Sequence, residues 1–211
     1  MRSGEEEVVC VGVKEALEEF CRFISADGNG SELVGHNIKN FDCKVLYHAV
    51  YRNEMMEEFS SAIKGFIDTY LVYKKVYPGL ESYSLDKLNE KYIKEPRSPL
   101  HDALSDVQLT RKVYEIVKSD PEIQKSLFSW RSVVCACSLQ PLVKEKIITQ
   151  YMKNNLVKAN LDYDDLLRAH SRPSGGGIDL LFSEKVGENK KPRVTNCKTT
   201  IKKVSDYFDK I

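Results

Sequence analysis

The sequence has almost no net charge, no long apolar run and no paired-cysteine spacing, and each lack closes off a class of function. A formal charge of +1 over 211 residues gives no global attraction to nucleic acid, so such a partner would need a local patch. No uncharged apolar stretch approaches the length that crosses a bilayer, so no membrane partner is expected. The start, "MRSGEEEVVC", is acidic where a secretory leader would be basic. The 6 cysteines include no C-x-x-C pair, which argues against a zinc knuckle, a thioredoxin-like motif and a disulfide framework. They read as buried free thiols, which places the expectation on a reducing compartment, cytosol or nucleus.

What is present is an ordinary globular composition, 42% hydrophobic and 30% charged, with enough length to bury a real core. Val13, Ala16, Leu17, Phe20 and Ile24 fall on one face of a helix over residues 13–24. After a Gly-broken loop, "LVG" reads as a short buried strand running into a helix from about Asn40. "GFIDT", residues 65–69, reads as a second strand ending in an acid. Ser84 caps a helix carrying Leu85, Leu88 and Tyr92, and Ser98 and Pro99 open another, whose inner stripe reads Leu100, Ala103, Val107, Tyr114 and Val117. Beyond about residue 119 the texture turns helical, interrupted by "RPSGGGI" and by the basic stretch "GENKKPRVTNCK", both read as mobile loops. The expected organisation is an α/β domain over 1–118 and a mainly helical extension over 119–211.

Phosphodiester hydrolysis needs a deprotonated water and a sink for the charge on the leaving oxygen, tasks suited to two divalent cations roughly 4 Å apart on carboxylates. Asp42, Asp106 and His101 are the candidates. His101 and Asp106 lie about 140° apart on an ideal helix, so they converge only if His101 sits on the lead-in turn.

"HNIKNFD" (36–42) resembles the second signature of the DnaQ-like 3′→5′ exonucleases, and "HDALSD" (101–106) resembles the third signature of their DEDDh branch. The order and spacing of "FIDT", "SYSLDKL" and the histidine helix are similar to the three-prime repair exonucleases. The resemblance implies a ribonuclease H-like fold, Mg²⁺ or Mn²⁺ held by Asp42 and Asp106, and His101 as general base. It also implies single-stranded DNA or RNA 3′ ends as substrate, with His36, Asn37 and Tyr83 as candidate nucleic-acid contacts. Asp68 would support the fold rather than bind metal. "CSLQPLVKEKI" and "DLLRAHSR" resemble the C-terminal exonuclease-like region of the promyelocytic leukaemia protein family, in which such an extension could dock a protein partner.

One signature is lacking. The family's Asp-x-Glu strand should precede the 13–24 helix by a wide margin. The single match, Asp120-Pro121-Glu122, follows a helix and is rejected, and Glu5 to Glu7 precede an apolar run rather than end one. The expectation is a ribonuclease H-like fold lacking its first strands, two of four metal-binding acids and, with them, full activity. An N-terminally shortened exonuclease is favoured over a degenerate relative, and the alternatives in function are an inactive nucleic-acid binder or a protein-interaction module. The plainer readings assign Asp102 to capping, His36 to a structural hydrogen bond, and His48 and His170 to surface or core. Packing outweighs stacking for the Tyr70, Tyr73 and Tyr77 stripe, and "KKPR" reads as a solvated basic run.

Overall fold

A computed structural model describes residues 10–26, 28–96, 103–172, 177–186 and 191–211. The chain divides into two compact units, Met1–Trp130 and Arg131–Ile211, a break later than the change of texture near residue 119. It falls later because residues 120–130 pack onto the first unit: Phe66 and Phe128 exchange backbone hydrogen bonds of 2.8 and 3.0 Å, and Trp130 lies 4.6 Å from Phe59, ring to ring.

In the first unit, helix α1 (Val13–Ile24) leads to strand β1 (Ser31–Gly35), then to helices α2 (Asp42–Arg52) and α3 (Met56–Ala62). Strand β2 (Ile63–Asp68) pairs parallel to β1, with Gly35 opposite Asp68, so both strands end at one edge. Helix α4 (Thr69–Val76) starts directly after it. The short helix α5 (Leu85–Leu88), capped by Ser84, passes into a π turn at Asn89–Ile93. That turn stops where Lys94 adopts φ 64° and the Asn89 amide bonds both backbone groups of Glu95. Helix α6 (Ala103–Val117) packs against β1, α4 and α5. The core gathers Ile67, Val72, Tyr73, Leu88, Val113, Val117 and Ile123.

Two helix stripes differ from the sequence expectation. On α6 the buried face is Leu109, Val113 and Val117, whereas Val107 is 65% exposed and Ala103 is exposed too. The expected stripe holds at its C-terminal end, where Val117 is buried and Tyr114 packs against the core, and fails at Ala103 and Val107; Leu100 is outside the described residues. On α1 it is Leu17, Cys21 and Ile24 that are buried, and Val13 faces outward.

The first unit closes with α7 (Glu122–Ser126), and after α8 (Trp130–Ser138) the second unit continues with α9 (Gln140–Lys144), α10 (Gln150–Lys158), α11 (Tyr163–His170), α12 (Gly177–Ser183) and the C-terminal α13 (Lys198–Phe208). Leu142, Leu156, Leu166, Phe182 and Val204 are fully buried in their shared core. Asp162 caps α11 in a capping box with Asp165, and Arg131 pairs with both carboxylates. Part of the basic stretch read as mobile is held. Lys191–Pro192 pairs antiparallel with Lys185–Val186, Val194 is buried, and the amides of Val194 and Thr195 both donate to the Phe182 carbonyl, at 3.0 and 3.1 Å. Residues 173–176 and 187–190 of the two loops lie outside the described residues.

All 6 cysteines are free thiols, and burial pushes Cys135 up to about 11. Among the described residues no helix is long and apolar enough to cross a membrane.

The bridge to Phe128 requires glycine at 65, where a Cβ would lie 2.7 Å from the Phe128 carbonyl oxygen. Gly65→Ala is expected to lower the unfolding free energy by about 1–3 kcal/mol in chemical denaturation, the usual cost of overpacking. A variant as stable as wild type would mean that Phe128 does not bridge β2.

Candidate functional site

The parallel strands deliver two chain ends to one edge, and a single side chain fixes the course of the backbone beyond both. Asp68 is 1% exposed and closes β2. Its Oδ1 accepts from the amides of Asn37 (2.9 Å) and Tyr70 (3.0 Å), and its Oδ2 accepts from the Lys39 amide (3.2 Å). The carboxylate therefore caps α4 and also ties down the turn leaving β1. Within that turn Asn37 takes φ 60°, a left-handed conformation that asparagine tolerates better than most residues, and its Oδ1 accepts from the Asn40 side-chain Nδ2 at 2.8 Å. Asp42 emerges from the turn as the first residue of α2, with its side chain exposed.

His36 joins this edge to the segment before α5. A carbonyl only accepts, so Nε2 carries the proton and donates to the Tyr83 carbonyl at 2.9 Å. In the neutral ring Nδ1 faces the Thr69 hydroxyl at 2.9 Å and accepts from it, and that hydroxyl also lies 3.2 Å from the Gly35 carbonyl. Burial holds the His36 pKa below its ordinary value, outweighing the Tyr83 hydrogen bond and the Asp68 charge, which push it up. Tyr70 meets His36 edge-on at 5.8 Å and Tyr83 edge-on at 6.1 Å. The Lys74 ammonium lies 5.0 Å from the Tyr70 ring centre and 5.9 Å from that of Tyr83. The tyrosine stripe thus splits by position. Tyr73 is fully buried and donates to the Val113 carbonyl, and Tyr77 packs on it at 5.5 Å, whereas Tyr70 is half-buried beside a lysine.

Among the expected site residues, His36 and Tyr83 are joined directly, and Asn37 is joined to both strand ends through Asp68. Asp106 lies in the first turn of α6, half-buried, on a helix that packs against β1. His101 lies outside the described residues, as do Glu5 to Glu7. Among the described residues no group of three or more His, Cys, Asp or Glu side chains is arranged to hold a metal ion. Asp68, the acid nearest the strand ends, has both oxygens committed to backbone amides. The described donor set therefore does not fit a pair of divalent cations. Asp120 accepts from the Glu122 amide at 2.8 Å just after α6, and Glu122 pairs with Lys75 and Lys125, so Asp120-Pro121-Glu122 is the turn into a short helix rather than a strand-borne ligand pair.

A family model described as an exonuclease matches residues 5–114. The chain belongs to that exonuclease family. The family is one that generally uses divalent metals and has a ribonuclease H-like α/β fold. A second model, the PML C-terminal domain, matches residues 135–211. Human protein PML is 26% identical over 174 residues, which cover 80% of this chain and 19% of that protein. Mouse protein PML is 27% identical over 115 residues, covering 54% of this chain and 13% of the mouse protein. The chain is thus an exonuclease-like relative of PML, and it spans no more than about a fifth of the length of these curated relatives. No solved structure matches it.

Because the folded state keeps His36 neutral, the unfolded chain takes up a proton first as pH falls below 6.5, and stability is lost in that direction. His36→Gln is expected to flatten the decline in melting temperature between neutral pH and the range below 6.5, and the His36 ring should titrate below 6.5 by NMR. A ring that titrates at or above that value would contradict the burial argument.

Proposed function

We propose that this chain is an exonuclease-like module that engages the 3′ ends of single-stranded nucleic acid at the strand-end edge of its first unit, with metal-dependent hydrolysis impaired. The observation that carries this reading is the cluster of Tyr70, Tyr83 and Lys74 beside the exposed Asn37–Asp42 turn. Aromatic faces stack on unpaired bases and a neighbouring ammonium neutralises phosphate, a combination that tolerates any base sequence. His36 positions this cluster by holding the Tyr83 carbonyl. His101 would be the general base and Asp42 and Asp106 metal ligands in an active relative. Divalent ions in such a site would generate the attacking hydroxide and stabilise the leaving oxygen.

Impairment rests on the donor set. Two acids with water can hold one Mg²⁺ weakly, because that ion keeps several of its waters, but they do not set the geometry of a pair. In the first unit the described sheet is β1 beside β2, and neither strand carries an Asp-x-Glu pair. The alternative, a protein-interaction module docking through the extension, draws on the match of residues 135–211 to the PML C-terminal domain.

A 3′-labelled single-stranded oligonucleotide with Mn²⁺ or Mg²⁺ tests this. The wild-type chain is expected to bind it, with affinity unchanged by EDTA and reduced by Lys74→Glu. Nucleotide release should not exceed that of the Asp42→Ala/Asp106→Ala double variant. Metal-dependent release that the double variant abolishes would establish an intact catalyst instead, and binding indifferent to Lys74→Glu would remove the proposed edge.

A further inference from the structure

The charge of +1 conceals a division. Residues 131–211 carry 15 Lys and Arg against 9 Asp and Glu, and residues 1–130 carry 17 against 22, so the whole is the sum of +6 and −5. The positive charge thus accompanies the unit outside the exonuclease match. Within that unit lies a cavity of about 390 Å³ between the loop ending α9, the first turns of α10 and α13, and the segment from Pro192 onward. Its volume falls in the range of sites that seat one small organic group.

The chemistry lining the cavity is mixed in a particular way. Lys146 and Lys203 flank it, and the Lys203 ammonium donates to the Lys146 carbonyl, which fixes one cation at the rim. Neither lysine has a carboxylate partner among the described residues, so their charge is not cancelled locally. Tyr151, 75% exposed, lies at the same rim, and Asn155, Asn196 and Thr199 supply amide and hydroxyl groups. A purely acidic peptide would call for cations alone. An uncovered aromatic face, donor and acceptor amides and uncancelled ammonium groups around a cavity of this size match the three parts of a nucleotide: a base to stack, edges to hydrogen-bond and a phosphate to neutralise.

We propose that this cleft in the second unit is a separate single-stranded nucleic-acid site that seats one nucleotide on Tyr151, with its phosphate between Lys146 and Lys203. The site needs no metal, and it stands whether or not the edge of the first unit binds nucleic acid. Its function is retention: a strand held here is neutralised by the unit that carries the chain's excess of positive charge.

The test uses the full chain in EDTA and a fluorescein-labelled oligothymidylate of about a dozen nucleotides, read by anisotropy. Tyr151→Ala and Lys203→Glu change exposed side chains, so circular dichroism and melting should match wild type. Each is expected to weaken binding by ~5-fold or more, and Lys203→Glu should also lower the slope of log affinity against log salt by about one. Unlabelled oligothymidylate should displace the probe where an oligoglutamate at equal charge concentration does not. Wild-type affinity in both variants, or displacement by oligoglutamate as effective as by oligothymidylate, would overturn the proposal, the second result marking an acidic-peptide site. Binding lost in Lys74→Glu but kept in Lys203→Glu would overturn it while leaving the reading of the first unit in place.

Discussion

A buried carboxylate is costly unless its lone pairs are filled, and Asp68 fills them with backbone amides from both sides of the sheet edge. Each charge-assisted bond of this kind contributes about 1.5–3 kcal/mol, enough in combination to offset burying the charge and to order the segments that donate. The turn of residues 37–41 has no partner strand of its own, so its shape depends on this side chain. The start of α2, the exposure of Asp42, the φ of Asn37 and the N-cap of α4 all depend on it. His36 extends the same edge outward to Tyr83, and Tyr70, whose amide Asp68 holds, carries Lys74.

This arrangement separates two tasks that an active nuclease combines. An acid at a strand end can bind a cation or organise a loop. Asp68 does the second, leaving Asp42 and Asp106 on separate helices and no third described donor beside them. What remains favourable for nucleic acid is the ring-and-lysine chemistry at the edge and, in the other unit, a basic cleft with an exposed tyrosine. In the proposed reading both would act by stacking and neutralisation, which need no metal. The exonuclease match and the PML C-terminal match fall on different units, so the two surfaces have separate origins in the sequence.

Much of this was legible from residues alone where a local rule applied. The strand read over 65–69, the helix read from about Asn40, the Ser84 cap and the dismissal of Asp120-Pro121-Glu122 each rest on short-range signals, and the structure contains those elements with the strand at Ile63–Asp68 and the helix at Asp42–Arg52. Asp68 was readable as structural, but besides the local Tyr70 amide it is satisfied by those of Asn37 and Lys39, 31 and 29 positions earlier, which no local pattern encodes. The inner face of α6 was legible at Tyr114 and Val117 but not toward its start, because apolar residues occur on more than one side of that helix and only its packing against β1 and α4 selects Leu109 and Val113. The 191–196 segment looked mobile from composition, yet two amides on one carbonyl of α12 hold it down. Net charge misled by summation, since +6 and −5 cancel in any count over the whole chain.

A carboxylate, rather than a cation, organises the edge where the family's chemistry would occur. Native-state hydrogen exchange of the Asn37, Lys39 and Tyr70 amides, with and without Mn²⁺, tests this most directly. The expected result is strong protection of all three amides without metal, no gain on adding Mn²⁺, and collective loss of protection in Asp68→Asn. Protection that appears only with Mn²⁺, or that survives Asp68→Asn, would contradict it.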